Sequence, residues 1–322
     1  ALRVCVSDFD IPCSIFDITP PMPPEVLLAA PVPDFLRQPL EAAYQVCELA
    51  KPSANVRAIV PLGGTHLSID QLAAFPKLEI ISVMGVGYDG VPVAWCKERG
   101  IRVTNTPDVL TDDVADIAVA LVLMTSRRLV ESNRYLHDSK WLGGPFPLAH
   151  ALRGKVAGIL GLGRIGKAIA QRLEAHGMKI AYHGRKPQNV PWSYFDDLKA
   201  LAAESDFLIV ACPGGPETVK LVDAEVLAAL GSEGTLINIA RGSVVDEKAL
   251  IVALEAGTIR TAGLDVFEDE PRVPAALMAC ERTVLLPHVG SATHETRRAM
   301  AQLVIDNLAA HFAGRELITP VV

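Results

Sequence analysis

Several residue types and patterns are scarce in this sequence. The six cysteines form no Cys-x-x-Cys pair and show no metal-ligand spacing, so we expect reduced thiols, no disulfide framework and no metal site. Basic residues do not exceed acidic ones, and the formal net charge is −7. This balance argues against nucleic acid or an anionic membrane surface as a partner. Aromatic residues contribute only 5% of the chain.

Long hydrophobic runs are also missing. The most apolar helix candidate, residues 114–124, contains Asp116 and is followed by Arg127 and Arg128, so it is too short to cross a bilayer and reads as a buried helix. Residues 1–24 carry several acidic side chains and no apolar core of the kind that a secretory signal needs. We therefore expect a cytoplasmic protein with residues 1–24 as an N-terminal extension.

What the sequence does contain is a regular alternation of strand and helix patterns. In the first part of the chain the pattern predicts strands at 26–30, 58–61, 80–83 and 101–103, with helices at 39–49, 68–74 and 91–99. Later strands are predicted at 156–160, 179–182, 207–211, 236–239, 262–266 and 284–286, followed by a long helix at 293–312. Such alternation indicates parallel α/β sheets, and 322 residues suggest two domains.

A glycine motif lies at the middle of this pattern. Gly161, Leu162, Gly163, Arg164, Ile165 and Gly166 follow the strand pattern at 156–160 and open a predicted helix that ends near residue 176. Glycines at this spacing permit a tight turn, close approach of a pyrophosphate and close packing of helix on strand. In this context the motif predicts a dinucleotide site. Packing of helix on strand without a ligand is the alternative.

The residues after the next strand favour one form of the cofactor. An NAD site usually carries an acidic residue here, which accepts from the ribose 2′-hydroxyl, but this chain has Gly184, Arg185 and Lys186. Their positive charge would attract a 2′-phosphate. We therefore predict NADPH, with NADH still possible; an ordinary solvated loop is the alternative reading.

Three reactive side chains stand at the ends of predicted strands in the second half of the chain. Arg241 precedes Gly-Ser, Glu270 lies in Asp-Val-Phe-Glu-Asp-Glu-Pro, and His288 lies in Pro-His-Val-Gly-Ser. The carboxyl ends of the strands in an open α/β sheet are where ligands bind. We expect the three to share a site, with the nearby Glu268 and Asp269 facing solvent.

From about residue 25 to its end the chain resembles the D-2-hydroxyacid dehydrogenases, which use an arginine, a glutamate and a histidine in this order. Within that family, segments 104–112 (TNTPDVLTD) and 286–294 (LPHVGSATH) are most similar to the glyoxylate/hydroxypyruvate reductases and the plant hydroxyphenylpyruvate reductases. The resemblance implies a Rossmann cofactor domain, residues 104–290, inserted into a flavodoxin-like substrate domain, residues 25–103 and 291–322.

The resemblance also implies a role for each candidate residue. His288 would donate a proton to the keto oxygen as hydride arrives, Glu270 would orient its ring, and Arg241 would bind the substrate carboxylate and polarise the keto oxygen. The remaining matched positions comprise amides that bind the substrate carboxylate (Val86 and Gly87), backbone contacts to the cofactor (Ile239 and Ala240), a contact to the nicotinamide carboxamide (Asp265) and an aromatic side chain that reaches a neighbouring subunit (Trp141). The last of these implies a homodimer.

The reaction predicted from these features is NADPH-dependent reduction of a small 2-keto acid, with glyoxylate and hydroxypyruvate favoured. Hydroxyphenylpyruvate reductase is the nearest alternative, although the loop around Gly85 and Tyr88 differs from the plant enzymes. Phosphoglycerate and formate dehydrogenases fit less well. An alternative outside the enzymes is a nicotinamide-sensing binding protein related to transcriptional corepressors.

Overall fold

The computed structural model describes residues 22–322, which form two α/β domains, each built on one parallel sheet. The predicted extension falls almost wholly on residues 1–21, which lie outside the described residues. Met22, Pro23 and Pro24 lead directly into the first strand.

The first sheet has five strands in the order β2-β1-β3-β4-β5. Its strands are β1 (Glu25–Leu28), β2 (Gln45–Glu48), β3 (Val56–Val60), β4 (Ile80–Ser82) and β5 (Arg102–Thr104). The helices that alternate with them are α1 (Asp34–Ala43), α2 (Ile69–Ala73) and α3 (Val93–Glu98). This order is that of a flavodoxin-like sheet, as the sequence predicted.

One part of the sequence prediction for this sheet is wrong. A helix was expected over 39–49, but α1 ends at Ala43 and residues 45–48 form the edge strand β2, which pairs with β1. The backbone of Tyr44 is extended (φ −138°, ψ 162°), which ends the helix. Strand β2 is exposed at Gln45 and Glu48. Its short sequence therefore shows none of the continuous apolar pattern by which a buried strand is recognised.

The second sheet has seven strands in the order β12-β11-β10-β9-β6-β7-β8. Its strands are β6 (Val156–Leu160), β7 (Lys179–His183), β8 (Ser193–Phe195), β9 (Phe207–Val210), β10 (Thr235–Asn238), β11 (Thr261–Leu264) and β12 (Thr283–Leu285). Its helices are α6 (Arg164–Ala175), α7 (Leu198–Glu204), α8 (Ala224–Leu230), α9 (Glu247–Ala256) and α10 (Ala275–Ala279). The strand order changes direction at β6: strands β7 and β8 lie on one side of it and β9 to β12 on the other, as in a Rossmann domain.

The described residues contain three further α-helices. They are α4 (Thr111–Arg127), α5 (Leu129–His137) and α11 (His294–Phe312). Helix α4 is buried, as predicted, and packs on α6 and on strands β10 to β12, whereas α11 packs on α1 and β4 of the first sheet. The chain after α11 returns to β5, where Val321 N–H donates to Val103 O at 2.7 Å. The long last helix therefore belongs with the first sheet.

Helix ends follow the capping residues that the sequence supplies. Ser68 and Gln71 form a reciprocal capping box at the start of α2, and Thr293 Oγ1 accepts from Thr296 N–H at the start of α11. Asp197, Asp223 and Asp246 cap α7, α8 and α9 through their carboxylates. Each cap satisfies backbone donors that would otherwise lack a partner.

Among residues 22–322, no helix is long and apolar enough to cross a membrane. The same residues contain no group of three or more His, Cys, Asp or Glu side chains arranged to hold a metal ion. Four cysteines lie in this part of the chain, all as free thiols, with Cys96 and Cys212 buried. Burial raises the pKa of each of these two thiols to about 11.

Candidate active site

The predicted catalytic side chains follow three neighbouring strands of the second sheet. Arg241 follows β10, Glu270 follows β11, and His288 follows β12, and these strands are adjacent in the sheet. His288 Nδ1 lies 2.7 Å from Glu270 Oε2. The two side chains are partly exposed, 40% for His288 and 34% for Glu270. The pair therefore lies at the edge of the sheet with access to solvent or a ligand.

Glu270 is held in its ionised, accepting state. Its second oxygen, Oε1, accepts from Phe267 N–H at 3.0 Å. Burial would raise the pKa of Glu270, but the hydrogen bond and charge of His288, with help from Phe267 N–H and Arg241, outweigh burial and lower it. An ionised carboxylate can only accept, so Nδ1 of His288 carries the proton in this bond and Nε2 is directed elsewhere.

The loop that carries His288 is fixed by Asp265. His288 adopts a left-handed backbone conformation (φ 53°), and its N–H donates to Asp265 O at 2.9 Å. The Asp265 carboxylate is 2% exposed and accepts from Val289 N–H and Gly290 N–H, both at 2.8 Å. Burial nevertheless raises the pKa of Asp265, and these two backbone donors only partly oppose it. Asp265 therefore shapes the loop around His288.

Arg241 is fixed by its own strand and by the other domain. Asn238, at the end of β10, donates to Arg241 O at 2.9 Å and accepts from Ala240 N–H at 3.0 Å. The guanidinium donates from Nη1 to Ala240 O at 2.8 Å and from Nε to Asp89 Oδ1 at 3.1 Å. Asp89 belongs to the loop after β4, so this ion pair joins the two domains.

The loop after β4 brings Val86 and Gly87 to the same place. A Cβ atom on Gly87 would lie only 1.6 Å from Nη2 of Arg241, so the guanidinium rests directly against the Gly87 backbone. Val86 O accepts from Asn105 Nδ2 at 2.9 Å, which ties the loop to β5. The structure thus brings the two predicted substrate-binding positions and Arg241 together.

The glycine motif forms the turn that its sequence predicts. Gly161 has φ +99°, and a Cβ atom there would lie 2.6 Å from the backbone of Cys212. A Cβ on Gly166 would lie 2.2 Å from Gly161 O, whereas Gly163, the N-cap of α6, has open space beside it. Leu162 is buried and Ile165 partly buried, while Arg164 forms an exposed ion pair with Asp108. A free helix N-terminus in an open cradle suits a pyrophosphate.

The basic residues after β7 lie on the surface. Arg185 and Lys186 are exposed and border a surface cavity together with Gln188, and Gly184 O accepts from Tyr194 Oη at 3.2 Å. Gln188 Nε2 donates to Leu162 O at 2.9 Å. This bond ties the basic loop to the glycine turn.

The comparison with known proteins agrees with this geometry. A family model described as the NAD-binding domain of D-isomer-specific 2-hydroxyacid dehydrogenases matches residues 119–290. The chain is also 47% identical over 309 residues to glyoxylate/hydroxypyruvate reductase A of Arabidopsis thaliana, with 92% of this chain and 98% of that protein covered. This chain belongs to the D-isomer-specific 2-hydroxyacid dehydrogenase family.

Two further relatives bear on cofactor and substrate. Hydroxyphenylpyruvate reductase of Plectranthus scutellarioides is 46% identical over 308 residues, covering 92% of this chain and 98% of that protein. A crystal structure of an NADPH-dependent glyoxylate/hydroxypyruvate reductase from Sinorhizobium meliloti, in complex with NADP and malonate, superposes with a TM-score of 0.89 at 46% identity. That superposition covers 93% of this chain and 97% of the other.

Trp141 of this dehydrogenase lies on the surface of the single chain. It occupies a short 3₁₀ helix, Lys140–Gly143, and is 66% exposed. Leu142 and Leu148 beside it in sequence are 93% and 96% exposed, and Leu136 of α5 is 57% exposed. Within the single chain Trp141 forms part of an exposed apolar segment.

Sequence reasoning missed two residues of the site. Asn238 and Asp89 were not among the predicted site residues. A buried asparagine that directly precedes the Ile-Ala-Arg segment is a usable signal, because such a side chain needs backbone partners. The partner of Asp89 lies 152 residues away, so nothing local in the sequence indicates it. Glu268 and Asp269 are exposed, as predicted.

Proposed function

We propose that this dehydrogenase reduces small 2-keto acids with NADPH, converting glyoxylate to glycolate and hydroxypyruvate to D-glycerate. The observation that carries the proposal is the 2.7 Å bond between His288 Nδ1 and Glu270. Glu270 follows β11, which is adjacent to β10, the strand that precedes Arg241. A proton donor and a carboxylate-binding cation beside one another are what reduction of a 2-keto acid requires.

His288 would be the proton donor. Its Nδ1–H is bound to Glu270, so the ring is oriented and only Nε2 can serve a substrate. As the keto oxygen gains negative charge, Nε2–H would transfer its proton to that oxygen. Glu270 would stabilise the positively charged ring before the transfer and hold it in place afterwards.

Arg241 and the loop after β4 would hold the substrate. Nη2 of Arg241 lies against Gly87, so a carboxylate placed there can reach both the guanidinium and the backbone amides of Val86 and Gly87. The same guanidinium would polarise the keto oxygen. Substrate bound in this way stands between the two domains.

The cofactor fits the cradle at the start of α6. We assign the pyrophosphate to the turn from Gly161 to Gly166, and backbone contacts to Ile239 and Ala240 beside Arg241. Asp265 is assigned to the nicotinamide carboxamide. Each of its carboxylate oxygens accepts one backbone N–H and can still accept a second hydrogen bond, here from the carboxamide. When bound, the reduced nicotinamide supplies the hydride.

We further propose NADPH as the preferred cofactor, with NADH as a weaker substitute. Exposed Arg185 and Lys186, with Gly184 before them, leave the position of the usual acidic residue without a carboxylate. The Sinorhizobium relative, described as NADPH-dependent, supports this assignment.

Three broader assignments also belong to this proposal. The exposed apolar segment around Trp141 supports a homodimer in which this tryptophan reaches the neighbouring active site. The contact of α11 with α1 supports an inserted cofactor domain over residues 104–290, with 25–103 and 291–322 forming the substrate domain. Free thiols throughout residues 22–322 support a cytoplasmic location.

The test is oxidation of NADPH or NADH by the purified protein with glyoxylate, hydroxypyruvate and 4-hydroxyphenylpyruvate, followed by absorbance. NADPH-linked turnover of the two small acids is expected. Preference for the aromatic acid would instead match the Plectranthus relative. Tight NADPH binding with no turnover of any acid would favour a sensing protein.

The role of the basic loop is tested separately. Arg185→Asp should shift the ratio of kcat/KM from NADPH toward NADH, because the new carboxylate repels a 2′-phosphate and can accept from a 2′-hydroxyl. Arg315→Asp makes the same charge change at an exposed position after α11 and should leave the ratio unaltered. An unchanged ratio in Arg185→Asp would mean that another group binds the phosphate.

A further inference from the structure

The ion pair between Arg241 and Asp89 is not used in the reaction proposed above. Arg241 Nε donates to both oxygens of Asp89, at 3.1 and 3.3 Å. The two side chains are 22% and 27% exposed, so the pair is partly shielded from solvent. The pair directly joins the loop after β4, which contains Asp89, to the segment after β10, which contains Arg241. Its position calls for a role in the site.

The hydrogen bonds of Arg241 determine which of its edges can serve a ligand. The Nε–H is occupied by Asp89, and Nη1 donates one proton to Ala240 O at 2.8 Å. Nη2 has only a long contact of 3.5 Å with Gly63 O. A planar guanidinium presents its donors in a fixed fork. With the Nε edge occupied, the donors left for an anion are those of Nη2 and the second proton of Nη1.

Two glycines leave the space that this arrangement needs. A Cβ atom on Gly87 would lie 1.6 Å from Nη2 of Arg241, and one on Gly214 would lie 2.7 Å from Cγ of Arg241 and 3.2 Å from Asp89 Oδ2. The pair is thus enclosed between backbone segments of both domains. Nη2 is directed to the segment that contains the Val86 and Gly87 amides.

We propose that Asp89 is a positioning residue: by occupying the Nε edge of Arg241 it turns the Nη edge toward the Val86 and Gly87 amides, where the substrate carboxylate binds. This inference rests on the proposed function, because it assigns the substrate carboxylate to Arg241. Asp89 does not touch the reacting atoms. It acts through the orientation of the guanidinium.

The proposal separates two effects of Asp89 that have opposite signs. As a hydrogen-bond acceptor Asp89 orients Arg241 and should favour substrate binding. As a negative charge it partly neutralises Arg241 and should weaken the attraction for a carboxylate substrate. Nε has a single proton, so one amide oxygen can replace the two carboxylate oxygens. Asp89→Asn therefore keeps the orientation and removes the charge, whereas Asp89→Ala removes both.

The test compares these two variants with the unaltered protein in steady-state reduction of glyoxylate. For Asp89→Ala we expect kcat/KM for the keto acid to fall about 10- to 150-fold, the range for loss of a charge-assisted hydrogen bond. Most of the change should lie in KM for the keto acid, with KM for NADPH unchanged. Asp89→Asn should remain within about threefold of the unaltered protein.

Asp206→Ala is the matched control. Asp206 is 26% exposed and pairs with Lys155 at 2.7 Å at the start of β6, outside the proposed site. Its removal should lower the thermal midpoint and leave KM for the keto acid unaltered. Unchanged kcat/KM in Asp89→Ala, or an equal loss in Asp89→Asn, would overturn the inference.

A second measurement does not depend on turnover. Calorimetric titration of malonate into the NADP complex measures carboxylate binding directly, since malonate is the anion in the Sinorhizobium structure. Weaker binding to Asp89→Ala than to Asp89→Asn supports the positioning role even if no keto acid is reduced, which would refute the proposed function alone. Equal affinity of all three proteins, or no binding to the unaltered one, overturns the positioning role.

Discussion

The bond between Glu270 and His288 makes a quantitative prediction about the substitution Glu270→Gln. The glutamine oxygen can still accept from Phe267 N–H, as Oε1 now does at 3.0 Å. Its NH₂ group then faces Nδ1 of His288, so Nδ1 can no longer carry a proton there without two donors meeting. In the alternative orientation the glutamine oxygen faces Nδ1, and the NH₂ group faces Phe267 N–H, so two donors meet there instead. In either orientation the amide carries no charge, so the imidazolium form of the ring loses its anionic partner.

The size of the effect follows from the environment of the pair. A hydrogen bond to a charged group contributes about 1.5–3 kcal/mol, which corresponds to a factor of about 10 to 150. The two side chains are 34% and 40% exposed, so solvent screening favours the lower end, about 10- to 30-fold. We expect kcat for keto-acid reduction at neutral pH to fall by this factor.

The assay is steady-state NADPH oxidation with glyoxylate between pH 5.5 and 9, together with the dissociation constant of NADPH. Glu268→Gln is the control, because Glu268 is exposed two residues away and its profile should match that of the unaltered protein. If Glu270→Gln had the original kcat, the pairing would not stabilise the proton donor. A loss of NADPH affinity of the same size would show a structural effect.

Three further predictions test the same structure. Gly87→Ala should raise KM for the keto acid at least about 10-fold because its Cβ would lie 1.6 Å from Arg241 Nη2, whereas Gly64→Ala has open space and should not; equal KM values would contradict the contact. Asp265→Asn should lower stability by about 1–3 kcal/mol, since one of two buried backbone donors loses its acceptor, and an unchanged thermal midpoint would refute this. The folded-state pKa of Glu270 is lowered, so its stabilisation is present above the ordinary pKa and is lost as pH falls. The difference in unfolding free energy between Glu270→Gln and the unaltered protein should therefore shrink as the pH falls below the ordinary pKa of 4.5, and a constant difference there would be evidence against it.

Local sequence patterns were sufficient to predict many of the strands, turns and helix starts of this protein. The turn at Gly161 and the strand and helix around it are specified by neighbouring residues, because the glycines are needed where the backbone is tight. The start of α11 at Thr293 is likewise a local capping choice. The apolar strands of both sheets were predicted to within a residue or two for the same reason. Buried parallel strands are continuous apolar runs.

Only the tertiary structure determined the edge strand β2 and which site residues lie next to one another. Residues 45–48 were predicted as helix and form strand β2, because pairing with β1 outweighs the local preference of these four residues, of which only Gln45 and Glu48 are exposed. The sequence placed Arg241, Glu270 and His288 at strand ends, but only the order β12-β11-β10 makes those ends neighbours. The contact of Arg241 with Asp89 spans 152 residues and two domains. Such contacts depend on how whole sheets pack, which no short stretch of sequence encodes.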